Sequence, residues 1–150
     1  EGSPEFSARY QGFIDALAKA GITPQQVPHF DAISTESAGD QATAALLDSG
    51  LSIDAIFCAS DLIAIGVMRC LKRRGIQVPE QIAVMGFDDI PAASFASPGL
   101  STIQQDTSKA GELLVNNLLK LINNQPITDT LIEPKLVVRQ SCGAAGNSAS

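Results

Sequence analysis

Ile82–Asp106 reads IAVMGFDDIPAASFASPGLSTIQQD. Its opening run, IAVMGF, is apolar apart from one glycine and stops abruptly at two carboxylates, Asp88 and Asp89. A continuous apolar run bounded by turn residues is what a strand buried on both faces of a parallel sheet requires. A loop rich in Pro, Ser and Ala follows, then a second strand-like run, Leu100–Gln104. In open α/β sheets, ligands bind beyond the carboxyl ends of the strands, where the chain leaves the sheet. Asp88 stands at such an exit, so one stretch points both to a fold class and to a binding edge.

The flanking chain supplies the other elements. Ser7–Ala20 is expected to be an amphipathic helix, with Tyr10, Phe13, Ile14 and Leu17 on one face and Gly21 and Pro24 ending it. Val27–Ile33 reads as a short strand weakened by Pro28. A helix over Glu36–Ser49 carries Ala38, Ala42, Ala45 and Leu46 on one face, and Gly50 closes it. Asp54–Cys58 is a second apolar run, followed by Ser60 and Asp61, either of which can cap the next helix. That helix, Leu62–Arg74, is apolar nearly all round and must be buried on two sides, one against the sheet and the other against another domain or subunit. Asp106–Asn123 is a third long helix, with Leu114, Leu118, Leu121 and Ile122 expected inward. Ile132–Arg139 holds a last strand, KLVVR, and GAAGNSAS after it is small and polar enough for a disordered tail. Strand and helix signals alternate, which is the rhythm of a parallel sheet with right-handed crossovers.

Composition narrows the function. The chain has 150 residues, 45% of them hydrophobic and 17% charged, so one globular domain is expected. A net charge of −6 argues against gripping nucleic acid, because Lys and Arg on phosphates supply most non-specific affinity. The one basic cluster, Lys72, Arg73 and Arg74, reads as a helix C-terminus, where cations complement the dipole. No apolar run is long enough to span a membrane, and no signal-peptide pattern opens the chain. The first residues, EGSPEF, read as a cloning scar and stand outside the fold argument. Three cysteines without a CxxC and a single histidine, His29, give no basis for a metal or redox site, and a reducing compartment is the simplest setting.

If the runs at 54–58 and 82–87 are neighbouring parallel strands, Ser60 and Asp88 share one edge. A carboxylate beside a hydroxyl and a helix N-terminus suits the hydroxyls of a small polar ligand. Asp88 is read as the ligand acceptor rather than a turn cap, Asp61 as a cap, and Asp89 as a residue that structures the loop. Dinucleotide, phosphate-loop and nucleophile-elbow motifs are all missing, no nucleophile or base faces the aspartates, and no cofactor is expected. Binding is therefore favoured over catalysis.

Three motifs in order, DAIFCASDLIAIGVMRCLKRRGIQVPEQIAVMGFDDIP, SPGLSTIQQD and LVVRQSCG, closely resemble the effector-binding domain of the lactose-repressor/galactose-repressor family of bacterial transcriptional regulators. RYQGFIDAL at Arg9–Leu17 matches the motif that opens the second subdomain there. The resemblance implies an α/β fold of the periplasmic-binding-protein type, in which a Rossmann-like, three-layer, parallel-sheet subdomain forms half of a cleft that closes on a small molecule. It implies that 7–105 is the C-terminal subdomain, 106–131 a crossover into the other subdomain, 132–143 a returning strand and 144–150 a tail. It also implies that a DNA-binding headpiece and most of the first subdomain lie outside this chain. By matched position, Arg9 looks like the arginine that reaches the effector and Asp88 like the acceptor of its hydroxyls. Ser60 replaces an asparagine common in relatives, Gln105 lies near the pocket at the crossover, and Ile33 falls where relatives often stack an aromatic. Ile65, Arg69 and the loop around Phe95 resemble the dimer interface.

The expected function is that of a cytoplasmic sensor, a homodimer that binds a small effector, a sugar first, and alters operator binding by the missing headpiece. The competing readings are a periplasmic sugar-binding protein of a transport system and an enzyme on a doubly wound sheet.

Overall fold

The computed structural model describes residues 4–23 and 27–144, so the tail beyond 144 and the helix stop at Pro24 lie outside the described residues. Helix α1 spans Pro4–Lys19 and so begins inside the segment that the sequence reading set aside. It is followed by α2 (Glu36–Asp48), β1 (Ala55–Phe57), α3 (Asp61–Arg73) and β2 (Ala83–Met85), then α4 (Pro91–Phe95), β3 (Thr102–Gln104), α5 (Thr107–Ile122) and β4 (Lys135–Val137).

β1 and β2 pair in parallel, with Ala55, Ile56 and Phe57 opposite Ala83, Val84 and Met85. β3 continues the sheet beside β2 through parallel bridges at Met85–Ser101 and Asp88–Gln104. β4 then pairs antiparallel to β3, so the expected parallel sheet acquires one reversed strand at its edge. Ser141 locks the seam: its hydroxyl donates to the Val84 carbonyl at 2.7 Å and accepts from the Ser101 N–H at 2.8 Å.

The expected strand over Val27–Ile33 does not form, and its described residues are irregular. Pro28 lacks an N–H for a ladder, and β1 pairs only with β2 among the described strands. β2 also departs from expectation: Val84 is buried but Ala83 and Met85 only half so, which leaves one face of the strand incompletely covered.

α3 lies between the sheet and α2. Ser60 caps it, accepting from the Ile63 N–H at 3.4 Å, and eight of its thirteen residues are buried. The second buried side is met by α2 of the same chain. Contact there is backbone to backbone: a Cβ on Gly39 would strike the Ile63 carbonyl, and one on Gly66 would strike that of Glu36. Of the face expected for α2, Leu46 is buried, Ala38 and Ala42 are half-buried and Ala45 is exposed; the other buried positions are Gly39 and Thr43. Ion pairs flank the contact, with Arg73 on Asp40 at 2.6 Å and Arg74 on Asp48 at 2.9 Å, so the basic cluster has partners beyond the helix dipole. The core gathers Cys58, Ile63, Val67, Leu71, Val84 and Leu100.

α1 and α5 are the exceptions. Neither has a buried residue among those described. α1 is fastened by Phe13 stacking on Phe57 with ring centroids 5.3 Å apart. α5 leaves Leu114, Leu118, Leu121 and Ile122 exposed, contrary to the inward face its spacing predicts.

Candidate functional site

Three chain segments leave the sheet at one edge: Ala59–Asp61 after β1, Phe87–Asp89 after β2, and Gln105 after β3. Arg9 reaches that edge from the first half of α1. Its Nη1 donates to the Ala59 carbonyl at 2.6 Å, and its Nη2 stands 3.3 Å from Asp88 Oδ1. The guanidinium lies 4.0 Å from the centroid of the Phe87 ring and 5.3 Å from that of Phe6. Gln105 Nε2 donates to the same Asp88 Oδ1 at 2.8 Å. Three of the expected ligand residues, Arg9, Asp88 and Gln105, therefore converge on one carboxylate oxygen. Asp88 is a partly exposed acceptor, and its backbone has φ 115°, a region that L-residues rarely adopt.

Ser60 is nearby but buried. Its Oγ lies 2.7 Å from Ser34 Oγ while also capping α3, so a ligand reaches it only by displacing Ser34. Ile33, one residue before Ser34, is 74% exposed in irregular chain. A small cavity of about 190 Å³ adjoins Gln105, walled by Phe87, Ala110, Ile132 and Pro134 with Asp106 and Thr107 on its polar side. A larger open groove, about 620 Å³, lies by residues 75–80 ahead of β2, away from this edge.

Asp89 does structure the loop, as read from the sequence. Its Oδ1 meets Arg139 Nη2 at 2.7 Å and its Oδ2 accepts from Gln104 Nε2 at 2.9 Å. Asp61 is no helix cap; Ser60 takes that place. The Asp61 carboxylate is fully buried, accepting from Thr102 Oγ1 at 2.6 Å and from the Ile90 N–H at 2.9 Å. Burial raises its pKa above the usual carboxylate range, with the charges of Asp88 and Asp89 adding to the shift against those hydrogen bonds. Burial, reinforced by Asp61, likewise pushes the Cys58 thiol up to about 12.

Sequence reading missed the aromatic support of Arg9, the Ser34 contact and the stack of Tyr10 on His29, whose ring centroids are 4.3 Å apart. All join distant segments and leave no local pattern. Of the expected dimer residues, Phe95 is 86% exposed and Ile65 packs partly against the core. Arg69 is engaged within its own chain, 3.4 Å from Glu36 and 3.3 Å from Asp40.

A model of the periplasmic binding protein-like domain matches residues 2–142. The chain belongs to that family. It is 32% identical over 142 residues to the HTH-type transcriptional repressor PurR of Glaesserella parasuis serovar 5, a match that takes in 89% of this chain and 42% of the relative. Among solved structures, it superposes on a sugar-binding transcriptional regulator of the LacI family from Escherichia coli with a TM-score of 0.83 and 30% identity, over 93% of this chain and 50% of the other. On a dimeric Lac repressor the TM-score is 0.87 at 30% identity, over 93% and 51%. The resemblance to lactose-repressor-type regulators drawn from the motifs is thus upheld. The chain spans about two-fifths of the curated relative and half of these structures.

Proposed function

We propose that this chain is the C-terminal part of the effector-sensing domain of a LacI-type transcriptional regulator, and that it binds a small hydroxylated effector, a sugar, at the Asp88 edge. The observation that carries the reading is the convergence of Arg9, Asp88 and Gln105 from three separate segments at the carboxyl ends of parallel strands. Both neighbours of Asp88 use its Oδ1. Oδ2 faces the ligand and accepts one of its hydroxyls, a charge-assisted bond stronger than a neutral one. Arg9, held flat by Phe87, contributes a donor, and Ser60 and Ile33 lie at the margin of the site.

Residues 7–105 form one lobe, 106–131 cross to the other and 132–143 return. The leucines of α5 fit that division, since Leu114, Leu118 and Leu121 are each more than half exposed. Effector binding changes operator affinity through its different affinity for two hinge states. Operator contact belongs to a helix-turn-helix outside this acidic chain, which acts in the cytoplasm. The protein pairs as a homodimer through the exposed side of α3, Ile65 and Arg69 with Leu62, together with Phe95. Relatives named as repressors favour this over a periplasmic transport receptor, and a site without a nucleophile favours binding over catalysis.

The test is a titration of the ¹⁵N-labelled chain with pentoses, hexoses and nucleobases, following backbone amides. A sugar is expected to move the amides of Arg9, Asp88 and Gln105, and Asp88→Asn to abolish the shifts. Shifts produced only by nucleobases, or by no member of the panel, overturn the sugar reading.

A further inference from the structure

The exit Phe87–Ile90 holds two consecutive L-residues at positive φ, Asp88 at 115° and Asp89 at 57°. Such a backbone is strained and persists only where its surroundings hold it. In a closed four-residue turn, the first carbonyl accepts from the fourth N–H. Here each of those groups is bonded to Asp61 instead. The Phe87 carbonyl accepts from the Asp61 N–H at 2.8 Å, and the Ile90 N–H donates to Asp61 Oδ2 at 2.9 Å. One residue at the start of α3 thus replaces the closing hydrogen bond from both ends. Its other oxygen is fixed by Thr102 of β3 at 2.6 Å. Gly86 provides the room, because a Cβ there would strike Asp61 Oδ1.

The Asp61 side chain is fully buried, and its bonds hold both ends of the turn that carries Asp88. We propose that Asp61 is the positioning residue of the binding site, inserted into the Phe87–Ile90 turn so that the Asp88 carboxylate is held open toward a ligand. The proposal rests on the reading of Asp88 as effector acceptor. It concerns hydrogen-bond geometry, which an asparagine can reproduce, with its oxygen toward Ile90 and its NH₂ toward the Thr102 oxygen.

Two readouts separate the proposal from that reading. Three-bond HN–Hα and HN–C′ couplings of the free chain report φ of Asp88 without any ligand. D-Ribose, followed by amide shifts, reports binding. In Asp61→Ala, φ of Asp88 is expected to leave the positive region, and D-ribose affinity to fall about tenfold to a hundredfold, the loss of one charge-assisted bond. Asp61→Asn is expected to keep both within twofold. If the alanine chain does not fold, Thr102→Val carries the test: it frees one carboxylate oxygen, and φ of Asp88 must shift toward averaging. Unchanged Asp88 couplings in a folded Asp61→Ala or Thr102→Val chain overturn the proposal, as does an asparagine variant that loses as much as alanine. A wild-type chain that ignores D-ribose and every other sugar of the panel counts against the function proposed above, while the couplings still decide the role of Asp61.

Discussion

Arg139 and Asp89 form an ion pair of 2.7 Å, with side chains only 21% and 11% exposed, between the segment just past β4 and the turn that presents Asp88. Arg139 also donates to the Leu100 carbonyl at 2.7 Å, and Gln104 of β3 takes the other oxygen of Asp89. The neighbouring residue repeats the pattern one position along, Gln105 on Asp88. One turn therefore gives one carboxylate to Arg9 and Gln105 and the other to Gln104 of β3 and to Arg139.

Arg139→Ala strands a mostly buried carboxylate and an unpaired carbonyl. A loss of about 2–3 kcal/mol is expected, read as a lower urea midpoint with an unchanged slope. Arg139→Lys should recover less than half, since one ammonium cannot serve both acceptors in the geometry of the guanidinium fork. Equal midpoints for wild type and alanine would show the pair to be ornamental to stability.

The helix pair α2/α3 gives a second test. Alanine at a helix interior is favoured over glycine by about 1 kcal/mol, so Gly66→Ala should stabilise an isolated helix. Here the new methyl meets the Glu36 carbonyl, a backbone atom with little freedom to yield. Overpacking costs about 1–3 kcal/mol or more. The expected outcome is a lower melting temperature for Gly66→Ala and for Gly39→Ala, while Gly12→Ala, open in space, raises it or leaves it unchanged.

Asp61 makes stability depend on pH in the less common direction. Burial raises its folded pKa above that of a free aspartate, so the folded state holds the proton more tightly than the unfolded chain does. That contribution is fully present below the unfolded pKa and is lost as pH rises through the folded one. Asp40 behaves oppositely: the Arg73 guanidinium holds its carboxyl well below the usual range, a contribution lost progressively as pH falls below the unfolded pKa. Asp61→Asn removes the first effect alone. Its stability relative to wild type should therefore climb as pH increases from about 4, as followed by urea unfolding at several pH values. A flat difference would mean that Asp61 titrates alike in both states.

What could be read from the chain beforehand follows from where the information lies. The β2 run, the capping serine and the glycine after α1 were legible because burial, capping and positive φ act within a few residues. Val27–Ile33, read as a short strand weakened by Pro28, forms none, because a ladder needs the donor that Pro28 lacks. At the site, Asp88 was legible from its place at a strand exit and Arg9 and Gln105 from motif resemblance, but their joining at one oxygen was not visible. Asp61 looked like a helix cap since its true partner, Thr102, lies 41 residues away. No local periodicity encodes such a contact, nor the Ser34 hydroxyl that occupies Ser60.

The apolar side of α5 makes the last prediction. Leu114 is 71% exposed and Leu118 56%, one turn apart on the same face, with Leu121 and Ile122 beside them. Each such side chain left in water forgoes about 1.5–3 kcal/mol of burial, so the isolated chain gains by covering them. Light scattering at rising concentration should show self-association, and Leu114→Gln with Leu118→Gln should suppress it without lowering the melting temperature, because neither residue supports the core. A strictly monomeric wild type at high concentration would contradict this, and a double variant that melts early would place α5 inside the fold after all.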